Sequence, residues 1–507
     1  MSWIKREILE IKNHKKELSF LSVVIFLIII LRVPSIFEPY WYGDEGIYLT
    51  IGNALAQGET LYRDIHDNKP PFIYLLALGA GSQSVFRIYL FIWTIAGILL
   101  FWKLQRRIYT WQTVIPFTLV FGLFTSLPLI EGNIANGENF FLPLTVAGMF
   151  GTWQILNNYS QRVDKWALIA GLSFSFGTLF KIPAAFDGLA AAILIAWSAV
   201  SLPTQRKRLL VALFFLAFGF LAPWIVVSII QWYQGAWHYF LNEVLLQNIG
   251  YLSTWNRLGT SSFGWLSIDK LTGRFFVAAF LTILILRFQK RLSPKILFSG
   301  LWFVWTIFGT TLSGRPYAHY FLQVVPPLVL LLNSLINKLK RFDLMAVGLS
   351  LVLLIIVIVK WQPWVYHVIP YYQNFANFVS GRSSKLQYLA YFDPATPKIY
   401  QLASVIQETT LPNENIFIWG DWPSVYALSR RIPVGRYTTA YHVADFDPTQ
   451  EETIRALYLK KPRIIVLISG EQRQFPELTR LIAHEYFPLR SFEYATIYQR
   501  VSSLTSY

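Results

Sequence analysis

Cysteine is absent from the 507 residues, and methionine occurs only three times. The first absence excludes a disulfide framework, a thiolate metal site and a cysteine nucleophile. It does not fix a compartment. Charge is scarce as well: 14% of residues are Asp, Glu, Lys or Arg, where soluble domains carry roughly a quarter. No internal repeat or low-complexity tract is evident. No small-residue cleavage site follows the apolar run Phe20–Leu31, so that run reads as an uncleaved first span rather than a signal peptide.

What is present is apolar surface, at 54% hydrophobic residues. A bilayer core about 30 Å thick needs roughly 20 mostly apolar residues per helix. Runs of this kind lie near 18–37, 85–102, 112–130, 139–156, 166–180, 184–201, 209–232, 272–287, 296–312, 317–336 and 343–361. They predict a polytopic α-helical membrane protein with about eleven transmembrane helices.

The net charge of +16 does not imply a nucleic-acid partner, because the cations sit in short clusters between apolar runs. These clusters are Lys5 to Lys16, Lys103/Arg106/Arg107, Arg162/Lys165, Arg206 to Arg208, Arg287 to Lys295 and Lys338 to Arg341. With the spans above they all fall on one face, which the positive-inside rule makes cytoplasmic. The expected setting is therefore the cell (inner) membrane, with the N-terminus in the cytoplasm. PPFIYLLALGAG after Lys69 is short for a span, and a crossing there would turn Arg106 and Arg107 outward. It is expected to be an interfacial helix on the outer side.

The outer face then holds 38–84, 131–138, the Lys181 turn, 233–271, 313–316 and everything after about 362. In that last part β-rich runs (IFIWG, RIIVLI, YATIYQR) alternate with helical patterns. The expected organisation is a membrane domain at 1–361, with 38–84 as its first outer loop, and an extracytoplasmic α/β domain at 362–507.

Ionisable residues crowd the outer loops. Asp44 and Glu45 are adjacent carboxylates just beyond the first span. One can take a proton from an attacking hydroxyl while the other orients the site, although the spacing also suits a solvated interfacial pair. Asp67 and Lys69 precede Pro70-Pro71, which breaks the helix and leaves a lysine at the lipid–water boundary. That lysine can meet a lipid phosphate or simply snorkel to headgroups. Glu131 and Glu138 mark a second loop, where Glu138 also suits a helix start. Lys181 sits between apolar runs, where a charge needs a reason. His238 and Glu243 flank an aromatic group, and Arg315 and His319 add a cationic cluster in SGRPYAHYF. Together these supply a base and an anion site, the pairing needed to transfer a sugar from a lipid phosphate.

The ordered motifs DEGIYLTIGNALAQGETLYRDIHDNKPPFIY, GENFFLPLTVAGM, GLSFSFGTLFKIPA, WHYFLNEVLLQNIGYL and SGRPYAHYFLQVVPPLVLLL resemble the GT-C family of polyprenyl-phosphate-dependent glycosyltransferases. The branch is that of bacterial aminoarabinose transferases and protein O-mannosyltransferases. The resemblance implies a GT-C fold and an inverting transfer to an acceptor hydroxyl on the extracytoplasmic face, the acceptor being a lipid, a glycan or a protein. It implies Asp44 as the catalytic carboxylate, with Glu45 its partner and Glu138 the second acidic position, where the branch carries aspartate. Lys69, Lys181, Arg315 and His319 are implied for the donor phosphate. Asp67, His238 and Glu243 are further substrate-site candidates. Metal dependence varies among the family's branches, so no metal ligand is assigned and no cofactor is certain. A tail resembling IWGDWPSVYALSRRIPVGRY recurs in bacterial members. It reads as stabilising or acceptor-facing, with Asp421 and His442 as ordinary turn or surface residues. The rival reading is a transporter or flippase of lipid-linked sugars, which repeat symmetry and midplane charges would favour. Neither is visible.

Overall fold

The computed structural model describes residues 2–157, 162–247, 270–336, 338–444 and 449–501. Of the outer loop expected at 233–271, residues 248–269 lie outside the described residues. A helix occupies each of the eleven apolar ranges. Among the described residues five helices have the length and apolarity to cross a bilayer: Lys15–Ile36, Gln83–Arg106, Ile182–Ser201, Pro203–Tyr233 and Arg341–Trp361. The fold is that of a polytopic helical membrane protein with a small C-terminal sheet.

The chain groups into two units, neither of them contiguous in sequence. The first contains 1–35, 89–229 and 247–368; the second contains 36–88, 230–246 and 369–507. In the first unit, helices Gly137–Leu156 and Pro294–Thr310 are buried along nearly their whole lengths. Protein rather than lipid surrounds them, so they carry Thr, Asn and Glu that a lipid-facing helix would not tolerate. Several buried polar groups there are paired. Arg32 donates to the carbonyls of Thr125 and Gly132, each at 2.9 Å. Asp187 accepts from Trp302 Nε1 at 2.5 Å and Gln323 Nε2 at 2.7 Å. Gln323 also donates to the Pro183 carbonyl at 2.8 Å, which fixes the turn carrying Lys181.

The second unit is built on α2 (Gly43–Ala56) and α3 (Phe72–Ala80). The short apolar run after Lys69 is thus a nine-residue helix, about 14 Å long at 1.5 Å per residue and too short to span. Around these helices lies a four-stranded sheet, with β1 (Phe417–Trp419), β2 (Ile464–Ile468), β3 (Tyr486–Phe492) and β4 (Ala495–Arg500) in the order β1-β2-β4-β3. β1 and β2 run parallel, and the other pairings are antiparallel. Apolar side chains pack on both faces. Ile418, Val466 and Ile497 join the helix Thr396–Thr409 on one, while Phe417, Ile465 and Leu481 fill the other. This two-sided burial explains why IIVLI of β2 is continuously apolar rather than alternating.

Gly46 on α2 shows why a helix of this kind tolerates glycine. A Cβ there would lie 2.6 Å from Ser424 Oγ and 2.7 Å from its backbone nitrogen. The helix Pro423–Ser429 therefore rests directly on the turn that carries Asp44. Thr50 Oγ1 donates to the Pro423 carbonyl at 3.1 Å and completes the contact.

Candidate active site

In the second unit, Asp44 sits in the first turn of α2 and Lys69 immediately before the prolines that open α3. Lys69 Nζ lies 3.9 Å from Asp44 Oδ2 and 3.3 Å from Asp67 Oδ2. Only the shorter distance is within hydrogen-bonding reach. Asp67 is 1% exposed and accepts from Tyr74 Oη at 2.8 Å and the Asn68 N–H at 2.8 Å. Burial opposes its charge, but Lys69 foremost outweighs burial and brings the carboxyl down to about 2. Asp67 is therefore the fixed counter-charge that aims the ammonium. Asp44 is different. Its side chain is 32% exposed, and it accepts from Tyr48 Oη at 3.2 Å besides facing Lys69. The pair thus combines a solvent-accessible carboxylate with an ammonium oriented from behind.

Glu45 takes another direction. It is 1% exposed and grips Arg87 of α4 (Gln83–Arg106) through two contacts, one of them 2.6 Å. Arg87 also lies 3.3 Å from Glu38, which accepts from Tyr371 at 2.6 Å. Buried ions of this kind hold only while balanced. Arg87→Met leaves two buried carboxylates uncompensated and should cost about 3–5 kcal/mol. Thermal unfolding in lipid checks this, and adding Glu38→Gln and Glu45→Gln should restore much of the loss. Glu45 thus anchors α2 through Arg87.

His238 and Glu243 are separated by their helix. His238 is exposed on the short helix Trp237–Phe240, while Glu243 is buried and contacts Arg436 and, at 2.9 Å, His66 Nδ1. His442, expected at the surface, is only 2% exposed. Its ring stands edge-on to His66 at 4.9 Å, and Thr439 Oγ1 lies 3.1 Å from its Nδ1. The sequence expectation failed because the helix Ala440–Ala444 is covered by the first outer loop, hundreds of residues away in the chain.

Burial pushes His66 down to about 4 and, with His66 beside it, His442 down to about 3. Both are neutral in the fold near pH 7, while the unfolded chain takes up protons below 6.5. Their contribution is complete above pH 6.5 and is lost as pH falls towards their folded values, at up to about 1.4 kcal/mol per histidine per pH unit. Burial pushes Glu243 up to about 8 despite Arg436, so its contribution runs the other way and is lost as pH rises from 4.5 to 8. Between pH 6.5 and 4.5 the two histidines outweigh the single carboxyl. His442→Gln should therefore lower the melting temperature at pH 7 by more than at pH 5. Melting curves across that range test it, and a pH-independent gap contradicts it.

The first unit carries its own ionic cluster. Lys181 Nζ meets Glu138 Oε1 at 2.5 Å and lies 4.5 Å over the Tyr320 ring. A Cβ on Gly137 would sit 3.1 Å from Lys181 Cδ, so glycine makes room for the lysine. His319 Nδ1 lies 2.5 Å from Glu131 Oε2, which also accepts from Asn136 at 3.1 Å. Glu131 has φ +59, a left-handed conformation costly for this residue type. His319 is thus tied to Glu131, a carboxylate to which the resemblance gives no role. Arg315 is half-buried in the turn before it. Among the described residues no group of three or more histidines and carboxylates has the arrangement of a metal site.

No protein-family model matches the chain, and no curated protein matches it by sequence. Among solved structures it is similar to ArnT from Cupriavidus metallidurans bound to undecaprenyl phosphate. The TM-score is 0.55 at 13% identity, covering 97% of this chain and 99% of that one. An apo oligosaccharyltransferase from Archaeoglobus fulgidus follows at TM-score 0.43 and 14% identity, covering 89% of this chain and 69% of that one. What is shared with ArnT at such low identity is the architecture over the full length: this chain has the GT-C fold.

Proposed function

We propose that the protein is an inverting glycosyltransferase that moves a sugar from a polyprenyl-phosphate donor to an acceptor hydroxyl on the extracytoplasmic face. The observation that carries this reading is the Asp44–Lys69–Asp67 group, a solvent-accessible carboxylate beside a lysine aimed by a buried one. The GT-C fold, and a structure of that fold bound to undecaprenyl phosphate, agree with it.

Asp44 takes the proton of the acceptor hydroxyl as its oxygen attacks the anomeric carbon. The bond from that carbon to the phosphate oxygen breaks with inversion, and polyprenyl phosphate leaves with the bonding electrons. Lys69 holds the negative charge that grows on the phosphate. Lys181, set in place by Glu138, and Arg315 are additional candidates for the phosphate, and His319 is held for the same role by Glu131. The sugar is a hexose or a pentose, and the acceptor a lipid, a glycan or a protein. The setting is the inner membrane with about eleven crossings, the N-terminus cytoplasmic and the C-terminal domain outside.

The test is a panel of polyprenyl-phosphate sugars offered to the purified protein in lipid. Consumption of one donor with release of polyprenyl phosphate supports the reading. If every donor persists, with translocation of the intact lipid instead, the transferase assignment fails.

A further inference from the structure

Lys69 is held by two tyrosines. Tyr74 Oη accepts from its backbone N–H at 3.2 Å, and Tyr62 Oη donates to its carbonyl at 2.9 Å. Tyr62 is fully buried with φ +69, a left-handed conformation that a bulky side chain adopts only when its surroundings impose it. The Tyr62 N–H donates to the Ile65 carbonyl at 2.8 Å within the same turn, and the Tyr62 carbonyl is gripped from the far end of the chain. Arg436 donates to the Tyr62 carbonyl from Nε at 3.2 Å and from Nη2 at 2.6 Å. Its own carbonyl accepts from the His66 N–H at 2.8 Å. The guanidinium is anchored in turn by Glu243, by Glu452 at 3.4 Å, and by the Tyr239 ring at 4.6 Å. A planar fork of this kind fixes direction as well as charge.

We propose that Arg436, in the C-terminal α/β part, is a positioning residue for the donor phosphate: it holds Tyr62 in its strained conformation, and Tyr62 in turn sets where Lys69 stands. The proposal rests on the phosphate role given to Lys69 above. It assigns the C-terminal part a share in donor binding, beyond support or contact with an acceptor.

Undecaprenyl phosphate without a sugar is the probe, titrated against the full chain in lipid nanodiscs. Arg436→Gln is expected to raise its Kd about tenfold, the equivalent of about 1.4 kcal/mol. In a Lys69→Ala background the same change should raise Kd less than twofold, because the residue acts through the lysine. In transfer assays donor KM should rise with the Kd while kcat stays within about twofold. Tyr62→Phe keeps the ring and the carbonyl that Arg436 holds but drops the bond to Lys69, and should raise Kd about threefold. Arg436→Lys keeps a charge opposite Glu243, should fall between wild type and Arg436→Gln, and carries the same cycle if Arg436→Gln does not fold. Equal losses with and without Lys69 would show a merely structural role and overturn the proposal. So would unchanged Kd in folded Arg436→Lys and Tyr62→Phe. Wild type that ignores undecaprenyl phosphate altogether sinks the proposed function first, and this inference with it.

Discussion

Asp44→Asn is expected to lower turnover about 10³-fold while leaving donor Kd within about threefold of wild type. Removal of a general base costs typically 10²–10⁴ in rate. Asparagine keeps the shape and the hydrogen bond from Tyr48 but cannot accept a proton. Binding should survive because the lysine's hydrogen-bonding counter-ion is Asp67, not Asp44. The neighbouring carboxylates make the control. Asp67→Asn should weaken donor binding, because it releases the ammonium. Glu45→Gln should lower stability through Arg87. Three carboxylates within 24 positions of one another thus have three separable readouts. Single-turnover transfer with a saturating donor measures the first, and full activity in folded Asp44→Asn removes that residue from the chemistry.

Lys69→Ala should act mainly on the donor. A hydrogen bond to a charged group contributes about 1.5–3 kcal/mol, so Kd for polyprenyl phosphate should rise about 10- to 100-fold. The substitution also strips buried Asp67 of its counter-charge, and a fall in melting temperature should accompany the weaker binding. Lys69→Arg separates the two effects. It keeps the charge for Asp67 but replaces a compact ammonium by a wider fork, so stability should recover further than donor use. Binding unchanged in folded Lys69→Ala would place the phosphate elsewhere.

Much of this was legible in the sequence for a physical reason. Apolar runs of bilayer length declare themselves without knowledge of neighbours, and a helix stands in each expected range. Asp44 and Lys69 could be placed on one side because both fall in the first outer loop, but their closeness depends on how the chain returns after α2. What stayed hidden depends on contacts distant in sequence. Arg87 reads as one more cation at a helix start, and nothing local says that it will consume Glu38 and Glu45. His66 lies inside the first motif, yet the resemblance gives it no role, and His442 sits in a stretch with the composition of a surface turn. Their mutual burial exists only after the first outer loop has met residues 436–442. Composition marks a change near residue 362, but it cannot reveal that 36–88, 230–246 and 369–507 fold as one unit.

That threefold origin has a consequence for biosynthesis. A ribosome delivers the loop bearing Lys69 long before it delivers Arg436, with most of the apolar helices emerging in between. During that interval Tyr62 keeps its local bond to the Ile65 carbonyl but has no forked grip on its own carbonyl. A nascent chain would thus hold its lysine by Asp67 and Tyr74, without the guanidinium that fixes Tyr62, until the last quarter of the polypeptide arrives.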